Sequence, residues 1–163
     1  MRFAIADPPY PGRAILYADH ADYAGEVDHG ALLDRLIRDY PDGWALATDS
    51  RGLWTILPLL ADRQRATNAR IAIWQQPDAM PIGIGHPRGR DSRVAWGFEA
   101  VVFAGGRANG HNVFDSIHTP RRANHTSFLG SKPPEWTHWI LTLLGVTTGD
   151  VVDDLYPGSG AIG

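Results

Sequence analysis

The sequence predicts an open α/β sheet with helices on both faces. Short apolar runs recur between turn signals, they are continuous rather than alternating, and helix-like periodicities separate them. Continuous apolar runs suit strands covered on both sides. At 163 residues, 44% hydrophobic and 20% charged, the chain is predicted to form a single domain over residues 1–163 with its own core.

RFAIA at residues 2–6 is the first predicted strand, and it runs directly into Asp7-Pro8-Pro9-Tyr10. Next, HGALLDRLIRDYP places Leu32, Leu33, Leu36 and Ile37 on one helical face, with Pro41 marking the end. GWALAT reads as a second strand. Ser50 is positioned to cap a helix through Leu53, Trp54 and Leu57, which Pro58 is expected to kink. RIAIW and EAVVFAG read as further strands. PPEWTHWILTLLG spaces Trp136, Trp139, Ile140, Leu143 and Leu144 on one helical face, with prolines at the start and Gly145 at the stop. Its tryptophans are expected in the core rather than as a base-stacking platform. DVVDDLY is the last strand, followed by a glycine loop. Pro11 to Asp28 and Gly105 to Ser131 read as irregular.

Composition excludes several classes of function. No apolar run reaches the roughly 18 residues of a membrane span, and no signal-peptide pattern opens the chain, so a soluble, cytoplasmic protein is expected. With no cysteine there is no disulfide framework, thiolate metal site or cysteine nucleophile. Asp19, His20, Asp22, Glu26, Asp28 and His29 are rich in metal-ligand types but match no strong ligand spacing, so no metal is expected. No serine lies in a nucleophile-elbow sequence. The net charge of −3 hides an asymmetry: residues 51–122 carry ten arginines against five acids, whereas both flanking regions are acidic. Arg88, Arg90, Arg93, Arg107, Arg121 and Arg122 are therefore candidates for a nucleic-acid face, with ordinary surface decoration as the alternative.

Asp7-Pro8-Pro9-Tyr10 suits the handling of an exocyclic amine on a flat base. Such an amine is a poor nucleophile because its lone pair is delocalised into the ring. Hydrogen bonds from its N–H groups to the Asp7 carboxylate and the Pro8 carbonyl would draw the nitrogen toward tetrahedral geometry. Proline fixes φ and so pins that carbonyl, while Tyr10 offers a stacking surface. The base must first leave its helix, which implies a flipped or single-stranded substrate. The plainer reading is a turn that ends a strand. At the other end of the chain, Gly158 and Gly160 would let backbone approach a ligand closely at a helix start. No Gly-Lys-Ser/Thr follows, and the G-x-G-x-x-G pattern is incomplete.

DPPY, then FLGSKPPEW, then VVDDLYPGSG together resemble S-adenosylmethionine-dependent amino-methyltransferases of circularly permuted order, with the catalytic motif ahead of the cofactor motif. The likeness is to small phage-type DNA adenine methyltransferases of the kind found in restriction-modification, and it covers most of the chain. GWALATDS and RIAIW fall where that family's next strands fall, and WGFEAVVFAGGR resembles its later strand carrying a Trp and a Glu. The resemblance implies a Rossmann-like class I methyltransferase sheet with S-adenosylmethionine as cofactor. It implies that Asp7, Pro8, Pro9 and Tyr10 hold the target amine. Asp154, Tyr156, Gly158, Ser159 and Gly160 would surround the methionine part of the cofactor, flanked by Phe128, Gly130, Lys132 and Pro133 from a second element.

DPPY is the variant associated with adenine N6; cytosine N4 or an RNA substrate are the alternatives. The reacting carbon and nitrogen must meet in line at about 3–3.5 Å with water excluded. The family continues past the glycine loop with a helix and two strands, the first bearing an acid for the cofactor ribose. With the sequence ending at Gly163, the resemblance leaves three readings open: a truncated chain, a minimal form whose adenosine pocket is open or is completed by a homodimer or partner chain, or a non-catalytic nucleic-acid-binding module. One joint expectation follows: Asp7 and Gly158 should sit on adjacent strands lining one pocket.

Overall fold

The computed structural model describes residues 1–19, 23–63, 67–77, 97–108, 113–119 and 132–158. Its strands are β1 (Arg2–Ala6), β2 (Gly43–Asp49), β3 (Arg70–Gln75), β4 (Phe98–Gly105), β5 (Ser116–His118) and β6 (Val151–Asp154). The helices with described side chains are α1 (His29–Asp39), α2 (Leu53–Ala61) and α3 (Pro134–Leu143), with a short 3-10 turn at Ala14–Tyr17. The strands form one six-stranded sheet in the order β5-β3-β4-β2-β1-β6. β4 lies antiparallel between β2 and β3, while the β1–β2, β1–β6 and β3–β5 pairs are parallel.

Strand alternation divides the core into two layers. Ala4, Ala6, Trp44, Leu46, Val102 and Ala104 pack against Leu32, Leu33 and Leu36 of α1 and Ile56 and Leu60 of α2. On the opposite face, Phe3, Ile5, Ala45, Ala47, Val101 and Phe103 meet Trp136, Trp139 and Ile140 of α3. Every residue of β2 is buried, as continuous apolar runs require. Trp136 and Trp139 lie in the core, and each large apolar side chain buried there contributes about 1.5–3 kcal/mol relative to exposure.

The helices start and stop for local reasons. The Asp28 carboxylate accepts the Ala31 N–H at 2.9 Å and caps α1. Pro133 and Pro134 open α3, and Gly145, at φ +64°, ends it in the left-handed region where side chains are strained. Two expectations, the Ser50 cap and the irregular stretch after Gly105, are corrected. Ser50 does not cap α2; Gly52 is its N-cap, and the Asp49 carboxylate takes the Gly52 N–H at 2.6 Å. The helix runs through Pro58 to Ala61. The stretch read as irregular after Gly105 contains β5, too short for a periodic signal to be seen.

At the edge where β1 and β6 begin, Asp150 gathers donors. Arg107 reaches its carboxylate through Nη1 at 2.8 Å and Nη2 at 3.0 Å, the Thr147 N–H donates at 2.8 Å, and the Met1 ammonium donates at 2.9 Å. The Arg107 hydrogen bonds, then the terminal ammonium and the Thr147 N–H, hold this carboxyl well below the usual carboxylate range. A depressed carboxylate stabilises the fold above its unfolded value and loses that contribution as pH falls. Asp150→Asn is therefore expected to lower the urea midpoint at pH 7, and its gap from wild type to narrow below about pH 4. A gap independent of pH would show that the Asp150 charge does not tie this edge.

Candidate active site

The topology brings the carboxyl ends of β1, β2, β3 and β6 to one edge of the sheet, where antiparallel β4 begins. Asp154 lies in register with Ile5, and Glu99 lies opposite both Asp49 and Trp74. Strand parity aims a set of polar side chains at the α3 face. Asp7 continues the Phe3, Ile5 series, Gln76 the Ala72, Trp74 series, and Glu99 the Val101, Phe103 series. Asp154 shares the parity of Val152, which packs on that face.

Lys132, immediately before α3, is the centre of this group. Its Nζ lies 3.0 Å from Asp7 Oδ2 and 3.0 Å from Glu99 Oε2. It also donates to the Tyr10 hydroxyl at 2.8 Å. Tyr10 in turn donates to Glu99 Oε2 at 2.5 Å, and Gln76 Nε2 donates to Glu99 Oε1 at 3.1 Å. The ammonium stands over the rings of Tyr10 and Trp136, at 5.3 and 5.7 Å from their centroids. The Lys132 side chain is 5% exposed, Glu99 10% and Asp7 19%, so solvent screens these charges little.

Burial alone would lower the Lys132 ammonium, but Asp7 and Glu99 outweigh it and hold the group above its ordinary value. Burial raises the Asp7 carboxyl, with Lys132 opposing and Glu99 adding to the rise. The Tyr10 phenol is pushed well above its usual range, by burial first and then by Glu99 and Asp7. Tyr10 therefore stays a neutral donor, its ring anchored by its own hydroxyl.

Asp154 and the loop after it form the second half of the site. Asp154 Oδ1 accepts the Tyr156 N–H at 3.1 Å, while Oδ2 is buried with no hydrogen-bond partner among the described residues. Burial raises this carboxyl. A buried acceptor left unpaired carries a desolvation penalty that an incoming N–H or O–H donor would relieve. Gly158 takes φ +43°, a left-handed conformation that glycine adopts without strain.

Asp7, Pro8, Pro9 and Tyr10 follow β1, and Asp154, Tyr156 and Gly158 end or follow β6, so the expected adjacency of these strands holds. Pro133 is the N-cap of α3, beside Lys132. Lys132, expected among the cofactor contacts, spends its ammonium on Asp7, Glu99 and Tyr10. Arg107 is bound to Asp150 at the opposite edge of the sheet. Phe128, Gly130, Ser159, Gly160, Arg88, Arg90, Arg93, Arg121 and Arg122 lie outside the described residues. Sequence reasoning gave no role to Glu99 or Gln76. The signal was present in the parity of EAVVFAG, whose Glu shares a face with Val101 and Phe103.

Lys132→Met would leave two carboxylates buried without their cation. A loss of about 3–5 kcal/mol in urea unfolding at pH 8 is expected. Without the ammonium, both carboxyls are raised in the folded state, so the loss should shrink on acidification. A loss below about 1 kcal/mol with no pH trend would indicate a solvated cluster instead.

No protein-family model matches the chain, and no curated protein does. Solved structures do. The crystal structure of the M1.HpyAVI–SAM complex matches with a TM-score of 0.55 at 18% identity, over 99% of this chain and 75% of that one. The PvuII DNA methyltransferase, described as cytosine-N4-specific, matches with a TM-score of 0.63 at 12% identity, over 99% and 69%. At such identities the shared property is the fold, and the chain has the Rossmann-like fold of these methyltransferases, with a mixed sheet and helices on both faces.

Proposed function

We propose that this chain is a DNA methyltransferase that uses S-adenosylmethionine to methylate the N6 amine of a flipped or unpaired adenine. The observation that carries the reading is the pairing of β1 with β6, which sets Asp7-Pro8-Pro9-Tyr10 beside Asp154 and the Gly158 turn. The residues present fit the cofactor. Asp154 Oδ2 is a buried acceptor in need of a donor, as an amino-acid ammonium or a hydroxyl would supply, and Gly158 lets backbone approach closely. In this reading Asp154, Tyr156, Gly158, Ser159 and Gly160 hold the cofactor, with Phe128, Gly130 and Pro133 from the second element. When bound, it supplies an electrophilic methyl group.

The chain's own residues prepare the acceptor. The Asp7 carboxylate and the Pro8 carbonyl accept from the amine and steer its lone pair out of the ring plane. Tyr10 stacks on the base, its ring already fixed by the hydroxyl contacts to Glu99 and Lys132. The methylated nitrogen must shed a proton, and burial of Asp7 makes that carboxylate a better acceptor than a solvated one. Arg88, Arg90, Arg93, Arg121 and Arg122 would supply phosphate contacts. Cytosine N4 is the second reading, favoured by the fold shared with the PvuII enzyme. Asp7 at the head of the motif is what supports adenine.

Calorimetric titration with S-adenosylmethionine tests the cofactor half. Wild type should bind, Gly158→Trp should not, and Asp7→Ala should bind but lose methyl transfer to DNA by at least about 10²-fold. No binding by the wild-type chain would contradict the reading. Nucleoside analysis of the product should show N6-methyladenine; N4-methylcytosine would move the substrate.

A further inference from the structure

Glu99 sits one residue into β4, a strand hydrogen-bonded on both sides, and its side chain is almost wholly buried. A carboxylate is an expensive group to place there, and its stability role could be filled by an apolar residue of like volume. Its two oxygens are fully committed. Oε1 accepts from Gln76, while Oε2 accepts from the Tyr10 hydroxyl and faces the Lys132 ammonium. Each of those last two contacts leads on to a group that would receive the base. Lys132 holds Asp7 Oδ2 at 3.0 Å and so fixes the rotation of that carboxylate. The phenol hydroxyl fixes the plane of the Tyr10 ring.

The position of Lys132 is thus set by Glu99 and Tyr10 from one side and by Asp7 from the other. Without Glu99 the ammonium would have one carboxylate partner, and the phenol would exchange its Glu99 contact for Asp7 alone. We propose that Glu99 is a positioning residue for amine methylation, acting through Lys132 on the Asp7 carboxylate and through the Tyr10 hydroxyl on the stacking ring. This rests on the function proposed above. Both Glu99 oxygens are taken up by Gln76, Tyr10 and Lys132, so its loss should appear in turnover rather than in cofactor affinity.

The test compares the full chain with Glu99→Gln, Tyr10→Phe and the double variant. Glu99→Gln keeps the size and one acceptor of the side chain and removes its charge. It should lower kcat by about 10²-fold, the effect of misplacing a reacting group by about 1 Å. S-adenosylmethionine affinity by calorimetry should stay within about threefold, since ground-state cofactor contacts are untouched. Tyr10→Phe should lose part of kcat, and the double variant should lose less than the product of the two single effects, because they share one interaction.

An independent readout needs no cofactor. The Asp7 carboxyl, observed by carbon-13 NMR, is faced by Lys132, Glu99 and Tyr10. Its titration midpoint should fall in Glu99→Gln, because the neighbouring negative charge is gone and Lys132 pairs with Asp7 alone. An unmoved midpoint overturns the proposal whatever the activity, as does an unchanged kcat in a folded variant. If wild type fails to bind S-adenosylmethionine, the functional reading fails, while the midpoint still decides whether Glu99 governs Asp7. Should Glu99→Gln not fold, strictly multiplicative effects of Tyr10→Phe and Gln76→Leu, the changes on either side of Glu99, would overturn the proposal.

Discussion

The parallel pairing of β1 with β6 is the constraint on which the site depends. These strands lie at opposite ends of the sequence, yet Arg2 to Ile5 run in register with Val151 to Asp154. Local propensity does not dictate that pairing. It follows from sheet order, with β1 placed between β2 and β6 so that its apolar side chains are covered by α1 on one face and α3 on the other. Ion pairs around Asp150 hold the entry end of the two strands together. The exit end is thereby left to carry two loops that begin side by side. Brought together in this way, a carboxylate after β1 and a glycine turn after β6 stand at the ends of paired strands.

The second determinant is electrostatic. One ammonium, Lys132, is buried between the carboxylates of Asp7 and Glu99, with a neutral phenol and an amide completing the hydrogen bonds. Such a cluster is seldom the cheapest way to fill a core, since desolvation of each charge opposes the attraction between them. What it provides is fixed direction. The Lys132 ammonium, Asp7 Oδ2, both Glu99 oxygens, the Tyr10 hydroxyl and Gln76 Nε2 are each oriented by a neighbour, so little reorganisation of these groups remains when a substrate arrives. The surplus of negative charge would suit the proposed cationic methyl donor and the proton that the proposed reaction releases.

Much of this was legible in the sequence, for identifiable reasons. Continuous apolar runs marked the covered strands β1, β2 and β4, and 3.6-residue periodicity marked α1 and α3 with Trp136 and Trp139 inward. The motifs at the ends of β1 and β6 were visible as departures from ordinary strand endings: two prolines in one case, paired glycines in the other. Contacts between distant segments were not visible. Lys132 lies 125 positions from Asp7, and nothing local tells that its ammonium turns toward that loop. Composition likewise does not reveal which end of a strand a charge occupies, and Arg107 pairs with Asp150 where β4 ends. The cap of α2 was misread for a similar reason: Asp49, still in the strand, reaches forward to the helix before Ser50 can.

The central claim is that the ends of β1 and β6 form a single ligand site. A crystal structure of the chain with sinefungin, an unreactive analogue of S-adenosylmethionine, tests it most directly. The account predicts the ligand lying across these two strand ends, with a donor on Asp154 Oδ2 and its reactive position facing Asp7. A ligand bound at another edge of the sheet, or an Asp154 carboxylate that stays unpaired beside a bound ligand, would contradict it.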